Sequence, residues 1–533
     1  MKKTLLSVLA LAGSLSAMAV SAVTPAAGSA NPFAYDLTGE AVAANQAMTL
    51  SVSYKLNTAA DAVKLQVLKG GEVVAEQAGL PTAKGAHTAS IDLTELLAGA
   101  ACYGEYTWQI AVTGGATSGN PVTYKTWKFY HPSAIDVDNS FESSSFGTIF
   151  VAEGYTNGKT SGYESAQADA TEGSGLYMFT PDMNAIKDKN GNNRFYSNKL
   201  THSHSLSGNT CGADFARVAV AEDGRIFVTR HNDAGDYILV ADNVAALQNG
   251  EGFTSLVEGR SMESTKQYND DNGNFLVGPN QGFDVKGAGE DTKILALSNA
   301  TNALSFAYSN YRTMEYEIGT SSSLPAGTPV SALDKKYTIS YDRSVEVAYD
   351  NRGGIWYCQS RQTPTAEQPS LVYVDANGKE QFVDKSIARR RGAVAVSADS
   401  KQLAAASAYG KQFSIYDINY AADGAVSINE TYRLTVAGNN LYCLAWDIAG
   451  NVYAGNATSE YVMGFAIPRA NNTVATKAAS KYAFVVDEAT AIEAIEAETA
   501  PVEYYNLQGV KVENPSNGIF IRKQGNKATK VVL

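Results

Sequence analysis

The feature that most constrains the fold of this chain is a strand–turn–strand unit that recurs six times through its middle. Each copy alternates apolar with polar residues, passes through a turn rich in Asp and Gly, and continues into a second apolar strand. Near their start, the second strands carry a bulky or apolar pair: Ile149-Phe150, Ile226-Phe227, Ile294-Leu295, Ile355-Trp356, Leu403-Ala404 and Val452-Tyr453. A period of two is typical of strands with one buried face, and Asp and Gly tolerate the positive φ of tight turns. The six copies are therefore predicted to be β-hairpins.

Each hairpin is followed by another strand of similar character. These third strands are predicted to begin at Gly175, Asp236, Ala303, Ser370, Gln412 and Tyr461. Repeated units of several strands each are the sequence signature of β-propeller blades. We expect a propeller of about six blades over residues 133–486, and the long inserts, such as the one near Ser331, leave room for a seventh blade.

The order of strand, Asp-x-x-Gly turn and aromatic strand in these units resembles the NHL-type and SMP-30-like repeats of a loosely defined propeller superfamily. The resemblance covers most of the predicted propeller and includes no catalytic motif. It implies that any ligand would bind at a mouth of the central channel, near the ends of the innermost strands.

Residues 30–132 form a separate β-rich region ahead of the repeats. Alternating stretches such as "MTLSVSYKL", "GEYTWQIAVTG" and "TYKTWKFYHP", with a Gly70-Gly71 turn between two matching runs, predict about seven short strands. This pattern favours an immunoglobulin-like or fibronectin-like sandwich, although Cys102 has no partner cysteine in the region. We expect such a domain to act as a spacer or docking platform.

The N-terminal residues 1–22 have the pattern of a cleaved secretory signal. Lys2 and Lys3 precede an apolar run from Leu5 to Leu15 that is too short to cross a bilayer. Small residues at the spacing a signal peptidase needs occur twice, in Ala17-Met18-Ala19 and in Val20-Ser21-Ala22. The protein is therefore expected to be exported, and no later stretch is apolar enough to predict a membrane span.

The C-terminal region divides into an acidic linker, residues 487–501, and a small β-rich block, residues 502–533. In that block "YNLQGVKV", "GIFIRK" and the closing "KVVL" resemble the C-terminal sorting domains of the type nine secretion system. The resemblance implies passage across the outer membrane; the expected location is the periplasm, the outer-membrane surface or the extracellular space, and export to the periplasm is better supported than export to the surface. The Lys/Arg-rich stretch "IRKQGNKATK" departs from the family pattern, and the alternative is a small β module that packs on the propeller.

Composition narrows the range of partners. The formal net charge of −12 disfavours nucleic acid and anionic lipid as ligands. The four cysteines, Cys102, Cys211, Cys358 and Cys443, are widely spaced and contain no C-x-x-C pair, so we expect free buried thiols and neither a zinc site nor a disulfide scaffold.

Arginines lie at similar places ahead of several predicted inner strands. The candidate ligand-binding residues at the propeller mouth are Arg217, Arg343, Arg389, Arg390 and Arg391. Forked guanidinium donors at one mouth would suit an anionic group such as a carboxylated sugar. The alternative is that these arginines are solvated or paired with nearby acids such as Asp342 and Asp384.

No cofactor is predicted, and metal binding has only weak candidates. His202 and His204 stand two residues apart, so on a strand they would face the same side, but no third ligand lies at a diagnostic spacing. The Asp188-Lys189-Asn190 stretch faintly resembles a calcium loop, and an Asn-Gly hairpin is the favoured interpretation.

Together these features predict an exported, non-enzymatic propeller protein that binds a glycan or an envelope or extracellular protein. The oligomeric state is not indicated. The alternative is a propeller-fold polysaccharide lyase or glycoside hydrolase. An enzyme of that kind should place two or more carboxylates, or a histidine–metal cluster, together in one channel mouth.

Overall fold

The structure is a computed structural model that describes residues 20–533 with gaps. The gaps are residues 45–46, 98–102, 130–131, 154–174, 196–214, 231–237, 257–281, 300–310, 321–333, 340–343, 360–369, 385–390, 408–410, 439–440, 457–460, 477–482, 487–500 and 526. Strands dominate the described part, which confirms the all-β prediction. Its helices are one α-helix, Val244–Gln248, and two short 3₁₀ segments, Thr94–Leu97 and Gly289–Asp291.

Six antiparallel sheets form the blades of a propeller. From the axis outward, blade 1 contains β10 Pro132–Val137, β11 Ile149–Glu153, β12 Gly175–Phe179 and β13 Arg194–Phe195. Blade 2 contains β14 Phe215–Val220, β15 Ile226–Arg230, β16 Ile238–Ala241 and β17 Thr254–Ser255. Blade 3 contains β18 Phe283–Lys286, β19 Lys293–Asn299, β20 Tyr311–Glu317 and β21 Asp334–Ile339. Blade 4 contains β22 Ser344–Tyr349, β23 Ile355–Gln359, β24 Leu371–Val374 and β25 Glu380–Asp384. Blade 5 contains β26 Arg391–Val396, β27 Gln402–Ser407, β28 Gln412–Tyr420 and β29 Val426–Thr435. Blade 6 contains β30 Leu441–Trp446, β31 Asn451–Asn456 and β32 Tyr461–Ala466.

The predicted hairpins occupy equivalent places in all six blades. The first residue of each recurring pair lies opposite the same position of the inner strand, as in Val137↔Ile149 of blade 1 and Trp446↔Val452 of blade 6. A buried apolar cluster fills each seam between neighbouring blades, including the seam where blade 6 meets blade 1. The repeat pattern therefore corresponds to a closed ring of six blades.

Blade 3 differs in detail from the sequence prediction. The third strand predicted at Ala303 falls outside the described residues, and the strand that occupies this place is β20. The insert near Ser331 supplies β21, the outer strand of blade 3, and not a seventh blade. The sequence ahead of β20 also alternates, so the pattern alone did not show where the third strand begins.

Turns of the form Asp/Asn-x-x-Gly connect many of the strands. In blade 6, for example, Gly450 N–H donates to the Asp447 carbonyl, and Gly450 has a φ of 78°, which glycine adopts without strain. The Asp447 carboxylate accepts hydrogen bonds from the backbone N–H groups of Ala449 and Asn451, at 2.9 and 2.8 Å. The Asp188 loop forms the same turn, as the hairpin interpretation predicted.

The ring has two distinct ends. Because neighbouring strands alternate in direction, the turns from first to second strand all lie at one end, which we call the turn face. The connections from second to third strand and those between blades lie at the other end, which we call the loop face.

A strand from ahead of the repeats completes the sixth blade. This strand, β9 Val122–Lys128, pairs antiparallel with β32, so that Tyr461 lies opposite Lys128 and Ala466 opposite Val122. The sequence prediction placed this stretch in the sandwich, and that placement was wrong. The alternation of β9 shows that it has a buried face but not which sheet it joins.

The N-terminal segment lies along the outside of blades 5 and 6. Strand β1, Ala22–Val23, pairs in parallel with β29, and strand β2, Ala26–Ala27, pairs in parallel with β9. Since β29 and β9 are the outer strands of adjacent blades, the segment covers two exposed sheet edges. We call residues 20–28 the N-terminal strap.

The predicted sandwich is present, and it contains strands from two distant parts of the chain. One sheet contains β3 Ala34–Ala44, β4 Ala47–Leu56 and β7 Gly85–Asp92, and the other contains β5 Ala62–Lys69, β6 Glu72–Gln77 and β8 Gly104–Thr113. Two strands that follow the last blade, β33 Thr473–Ala475 and β34 Ala483–Val486, also pair with β8. Strands β33 and β34, which the prediction assigned to the propeller, thus belong to the sandwich sheet.

Asn31 and Asn451 join the sandwich to the turn face of blade 6. The Asn31 backbone N–H donates to Asn451 Oδ1 at 2.7 Å, and Asn31 Nδ2 donates to the Ile467 carbonyl at 2.9 Å. Asn451 Nδ2 in turn donates to the Asn31 carbonyl at 3.1 Å. Both side chains are buried, so these bonds hold the domains in a fixed relation.

The C-terminal module is a small sheet of its own. It contains β35 Glu503–Tyr505, β36 Lys511–Val512, β37 Ile519–Gln524 and β38 Lys527–Val532. These strands pair with one another in the order β36-β35-β37-β38. Leu507, Val510 and Val532 are largely exposed, and none of the described residues of the module is buried.

Candidate functional site

The inner strands bring two levels of side chains to the propeller axis. The level nearer the turn face is mostly alanine, and its members are Asp136, Ala219, Asp284, Ala348, Ala395 and Ala445. The level nearer the loop face is mixed: Ala134, Arg217, Glu346, Ala393 and Cys443 belong to it, and Gly282, just ahead of β18, lies against Glu346 there. Small residues dominate both levels because six strands converge there, which leaves a channel cavity of about 140 Å³.

A β-bulge precedes the second level in five of the blades. The register shifts at this point in β10, β14, β22, β26 and β30, as between Phe215 and Arg217. A bulge bends its strand and changes the direction in which the following side chain points. The repeated bulges therefore help to set the side chains of this level toward the axis.

Arg217 links three blades across the channel. Its Nε lies 3.3 Å from Oε2 of Glu346 in blade 4, and its Nη1 donates to the Ser133 carbonyl of blade 1 at 3.0 Å. Glu346 also accepts from the backbone N–H groups of Val347 and Phe283. Burial raises the pKa of Glu346 to about 7, against the opposing effect of the Arg217 charge. The pair is a buried ion pair and a link between blades.

Asp136 and Asp284 each link two neighbouring inner strands, and the hydrogen bonds follow the same pattern at both residues. Oδ2 of Asp136 accepts from the Val220 N–H of blade 2 at 2.8 Å, and Oδ2 of Asp284 accepts from the Tyr349 N–H of blade 4 at 2.7 Å. The Oδ1 atom of each aspartate accepts from the backbone N–H of the residue that follows it, at 2.8 Å. All four carboxylate oxygens are therefore already bonded to the protein.

Burial raises the pKa of both aspartates. The pKa of Asp284 rises to about 6, because the backbone hydrogen bonds offset only part of the cost of burial. The pKa of Asp136 lies well above its ordinary value, through burial and then through the nearby negative charge of Asp284. Two carboxyl groups that share one channel cannot both ionise cheaply.

A wider cavity of about 420 Å³ opens from this level toward the turn face. Carboxylates in its lining come from three blades: Asp136, Asp138, Glu142, Glu222 and Asp284. Asp138 already accepts from Ser145 Oγ at 2.7 Å, and Oε1 of Glu222 accepts from the Gly287 N–H at 3.3 Å. The cavity is negatively charged, and most of its acidic groups hold neighbouring turns in place.

The structure resolves only part of the arginine prediction. Arg217 reaches the channel, but it is paired with Glu346 there. Arg391 begins the inner strand of blade 5, and its side chain lies outside the described part. Arg343, Arg389 and Arg390 lie outside the described residues, so an arginine-lined mouth stays a prediction.

Histidine and cysteine predictions have similarly partial outcomes. His202 and His204 lie outside the described residues. Among the residues that the structure describes, no group of three or more His, Cys, Asp or Glu side chains is arranged to hold a metal ion. Cys358 and Cys443 are buried free thiols, as expected, and burial raises the pKa of Cys443 to about 12.

Sequence reasoning missed the axial carboxylates. The signal was a charged residue inside an otherwise apolar inner strand, in Ile135-Asp136-Val137 and again in Phe283-Asp284-Val285. At the equivalent position the other four blades have alanine. A polar residue at one place of a repeat that is otherwise small and apolar marks an axial position.

Fold and axis together define a six-bladed β-propeller protein with a docked β-sandwich. No family model matches the chain, and no curated protein matches it. Among matching solved structures, one chain of a mitotic checkpoint complex crystal structure has a TM-score of 0.37 and 10% sequence identity, over 66% of this chain and 93% of that chain. A likeness of that size carries no argument, so the propeller assignment rests on the strand pairing.

The described helices also bear on the membrane prediction. None of the helices in the described ranges has the length and apolar character needed to cross a bilayer.

Proposed function

We propose that this protein is an exported, non-enzymatic binding or scaffolding protein of the cell envelope, and that its propeller binds a glycan or a protein at the loop face. The observation that carries this proposal is that the charged groups at the axis already bond to other parts of the protein. Arg217, Glu346, Asp136 and Asp284 are all engaged in bonds between blades, which makes the axis a structural element. Ligand recognition then falls to the ends of the ring.

The docked sandwich favours the loop face over the turn face. Phe33 of the sandwich packs edge-on against Phe146, which lies in the blade 1 turn, at 5.9 Å between ring centroids. Lys84 Nζ donates to the Asp182 carbonyl of the same blade at 2.9 Å. The sandwich therefore covers part of the turn face, and β22 and β26, the inner strands that the candidate arginines precede or begin in sequence, start at the opposite end.

Export is part of the proposal. The signal-like residues 1–22 and the resemblance of residues 502–533 to type nine sorting domains support it. The separate strand pairing of the C-terminal module adds support, because a sorting module must act without disturbing its cargo. The proposed location is the periplasm, the outer-membrane surface or the extracellular space.

The binding proposal can be tested with carboxylated polysaccharides. Calorimetric titration with polygalacturonate and alginate should show binding that neutral dextran does not, and that the triple variant Arg389→Gln, Arg390→Gln, Arg391→Gln weakens. Lys401→Gln is the matched control, because Lys401 is an exposed cation of the same blade at the turn face. Equal binding by the triple variant and the control would contradict an arginine-lined site.

The alternative, a propeller-fold glycoside hydrolase or polysaccharide lyase, has one observation in its favour. The turn-face cavity places several carboxylates together, and the pKa of Asp284 is raised to about 6, in the range that suits a general acid. The bonds that occupy both oxygens of Asp136 and of Asp284 favour binding over catalysis. Release of reducing or unsaturated sugar ends, lost in Asp136→Asn, would establish the alternative.

A further inference from the structure

The exposed large apolar side chains of the described part are concentrated in two places. Apart from Val42, those of the described residues belong either to the sandwich sheet that contains β8 or to the C-terminal module, and they are Val73, Val74, Tyr103 and Val485 in the first and Val502, Leu507, Val510, Ile519, Val532 and Leu533 in the second. Single exposed apolar residues are ordinary on a protein surface, whereas groups of them mark interaction surfaces. The two groups therefore need a common account.

The sandwich group lies along one row of its sheet. Leu68 lies opposite both Val73 and Thr107, and Thr107 lies opposite Ala483 on its other side. Residues directly opposite each other share a face of the sheet. This is the face away from the core, because the neighbouring Val67 belongs to the core cluster and Leu68 does not. We call Val73, Leu68, Thr107 and Ala483 the sandwich row.

Two further residues enlarge the sandwich row and give it a charged border. Val74 is the extra residue where the register shifts next to Leu68. Val485, two residues after Ala483 and thus on the same face, is 59% exposed and lies opposite the exposed Glu105. The surface is therefore an apolar strip with a carboxylate at its edge.

The C-terminal module has a strip of complementary character. Ile519 lies opposite Val532, and both are exposed. On the same face, Ile521 lies opposite the exposed Lys530, so a cation borders this apolar strip. Residues 502–533 contain five Lys or Arg against two Glu, in a chain whose net charge is −12. The module is thus a basic unit attached to an acidic protein.

The path of the chain keeps the two strips within reach of each other. Strand β34 ends at Val486, next to Val485, and strand β35 begins at Glu503. The residues between them, 487–502, can span at most about 60 Å at roughly 3.6 Å per residue. A covalent connection of this length makes the encounter intramolecular and favours it over binding of a separate chain.

We propose that the C-terminal module docks on the sandwich row of its own chain, with Ile519 and Val532 against Leu68 and Val485 and with Lys530 beside Glu105. Both surfaces are exposed in the structure, so the docked state exchanges with the arrangement described above. Few side chains take part, and docking therefore adds little to the stability of the ring. It covers two apolar strips that would otherwise be open to other chains.

Zero-length carbodiimide crosslinking of the full chain, analysed by peptide mass spectrometry, tests the proposal. We expect an amide bond between Lys530 and Glu105, and a mixture of isotope-labelled and unlabelled protein should place that bond within one chain. Crosslinks found only between labelled and unlabelled chains would overturn the proposal and make a second copy the occupant of the row. The absence of any crosslink between the module and the sandwich would overturn it as well.

Neutral substitutions test whether the apolar contact drives the docking. Val485→Gln and Ile519→Gln should each lower the yield of the Lys530–Glu105 crosslink several-fold, because each removes an exposed apolar side chain without changing a charge. Val42→Gln is the matched control, since Val42 is 49% exposed but belongs to the other sheet of the sandwich. If all three variants give the same yield, the crosslink records chance encounters and the proposal is wrong.

Discussion

Arg217, which the sequence predicted to bind a ligand, has a structural role in the folded ring. Its guanidinium lies between Glu346 and the Ser133 carbonyl, and both members of the ion pair are largely buried. Removal of one member of a buried pair leaves an uncompensated charge, which costs far more than the pair itself contributes.

We therefore predict that Arg217→Met destabilises the protein by about 3–5 kcal/mol. The double variant Arg217→Met, Glu346→Gln should recover a large part of that loss, because no buried charge remains. Urea unfolding measures both, with the exposed Arg352→Met as the control. If Arg217→Met unfolds no earlier than the control, the arginine is free for a ligand as the sequence suggested.

Gly282 of blade 3 lies directly against the inner strand of blade 4. A Cβ at this residue would lie 2.5 Å from the Val347 N atom and 2.6 Å from Glu346 Cα. Both are backbone atoms of the neighbouring inner strand, so no side chain can rotate away.

Gly282→Ala should accordingly cost about 1–3 kcal/mol, the range for overpacking a closely packed core. Gly518→Ala is a suitable control, because there the nearest atom is 3.3 Å away and belongs to the Phe520 ring. Thermal denaturation of the two variants should separate them clearly. Equal melting temperatures would mean that the seam between blades 3 and 4 is looser than described.

The axial carboxyl groups should make stability fall as pH rises. The folded protein raises the pKa of Asp284 from 3.8 to about 6 and that of Glu346 from 4.5 to about 7, so it binds their protons more tightly than the unfolded chain does. The contribution of these groups is complete below pH about 4 and is lost as pH rises through 6 and 7.

Urea unfolding between pH 4.5 and pH 7.5 should therefore show a decreasing free energy of unfolding, with a shallower slope in Asp284→Asn, Glu346→Gln. Asp375→Asn is the control, because the pKa of that carboxyl is lowered: burial raises it, but hydrogen bonds from Lys379, Gln381 and Asn377 outweigh that effect. A slope that the double variant leaves unchanged would assign the pH dependence to other groups.

At the scale of elements, β9 closes the ring. It is the fourth strand of blade 6 but precedes blade 1 in the chain, so the first and last blades are joined through pairing as well as through the chain. Trp127, the last residue but one of β9, is 1% exposed and lies in the cluster that fills the seam between blades 6 and 1.

Trp127→Ala should cost about 3–5 kcal/mol, as expected for truncation of a buried aromatic residue. Thr126→Ala, on the exposed face of the same strand, should cost less than about 0.5 kcal/mol. Chemical denaturation of the two variants tests whether β9 is a core strand of the ring. A similarly small loss of unfolding free energy in both variants would mean that β9 is a peripheral strand.

At the scale of the molecule, the sandwich and the propeller are not two consecutive stretches of the chain. The chain passes from the strap to the sandwich, through the ring, and back to β33 and β34 on the sandwich sheet. A single protease cut near residue 132 would not release a propeller fragment, contrary to the simple order of domains that the sequence predicted, because β9 would remain paired to blade 6.

Calorimetry of two truncated chains should separate the C-terminal module from the rest. A chain that ends at Pro501 lacks the module and should keep the melting temperature of the full protein within about 1 °C, since the module buries none of its described residues. A chain that ends at Asn472 also lacks β33 and β34, and it should melt several degrees earlier. A large decrease in the melting temperature of the first chain would mean that the module packs on the ring and stabilises it.

The sequence by itself determined the all-β class, the six hairpins and the turn residues between them. These features are local: alternation, turn glycines and a repeated apolar pair act within about twenty residues, and each blade must use them to bury its faces. The same local logic correctly interpreted Asp188 as part of a turn and Cys358 as a buried thiol.

Only the tertiary structure decided which strands share a sheet. The partners of β1, β9 and β34 are hundreds of residues away or belong to the other domain, and an alternating strand fits any sheet with a free edge. The pairing of Arg217 with Glu346 and the raised pKa of Asp284 have the same origin. They arise because ring closure brings six inner strands together at one axis, a proximity that no local stretch of sequence encodes.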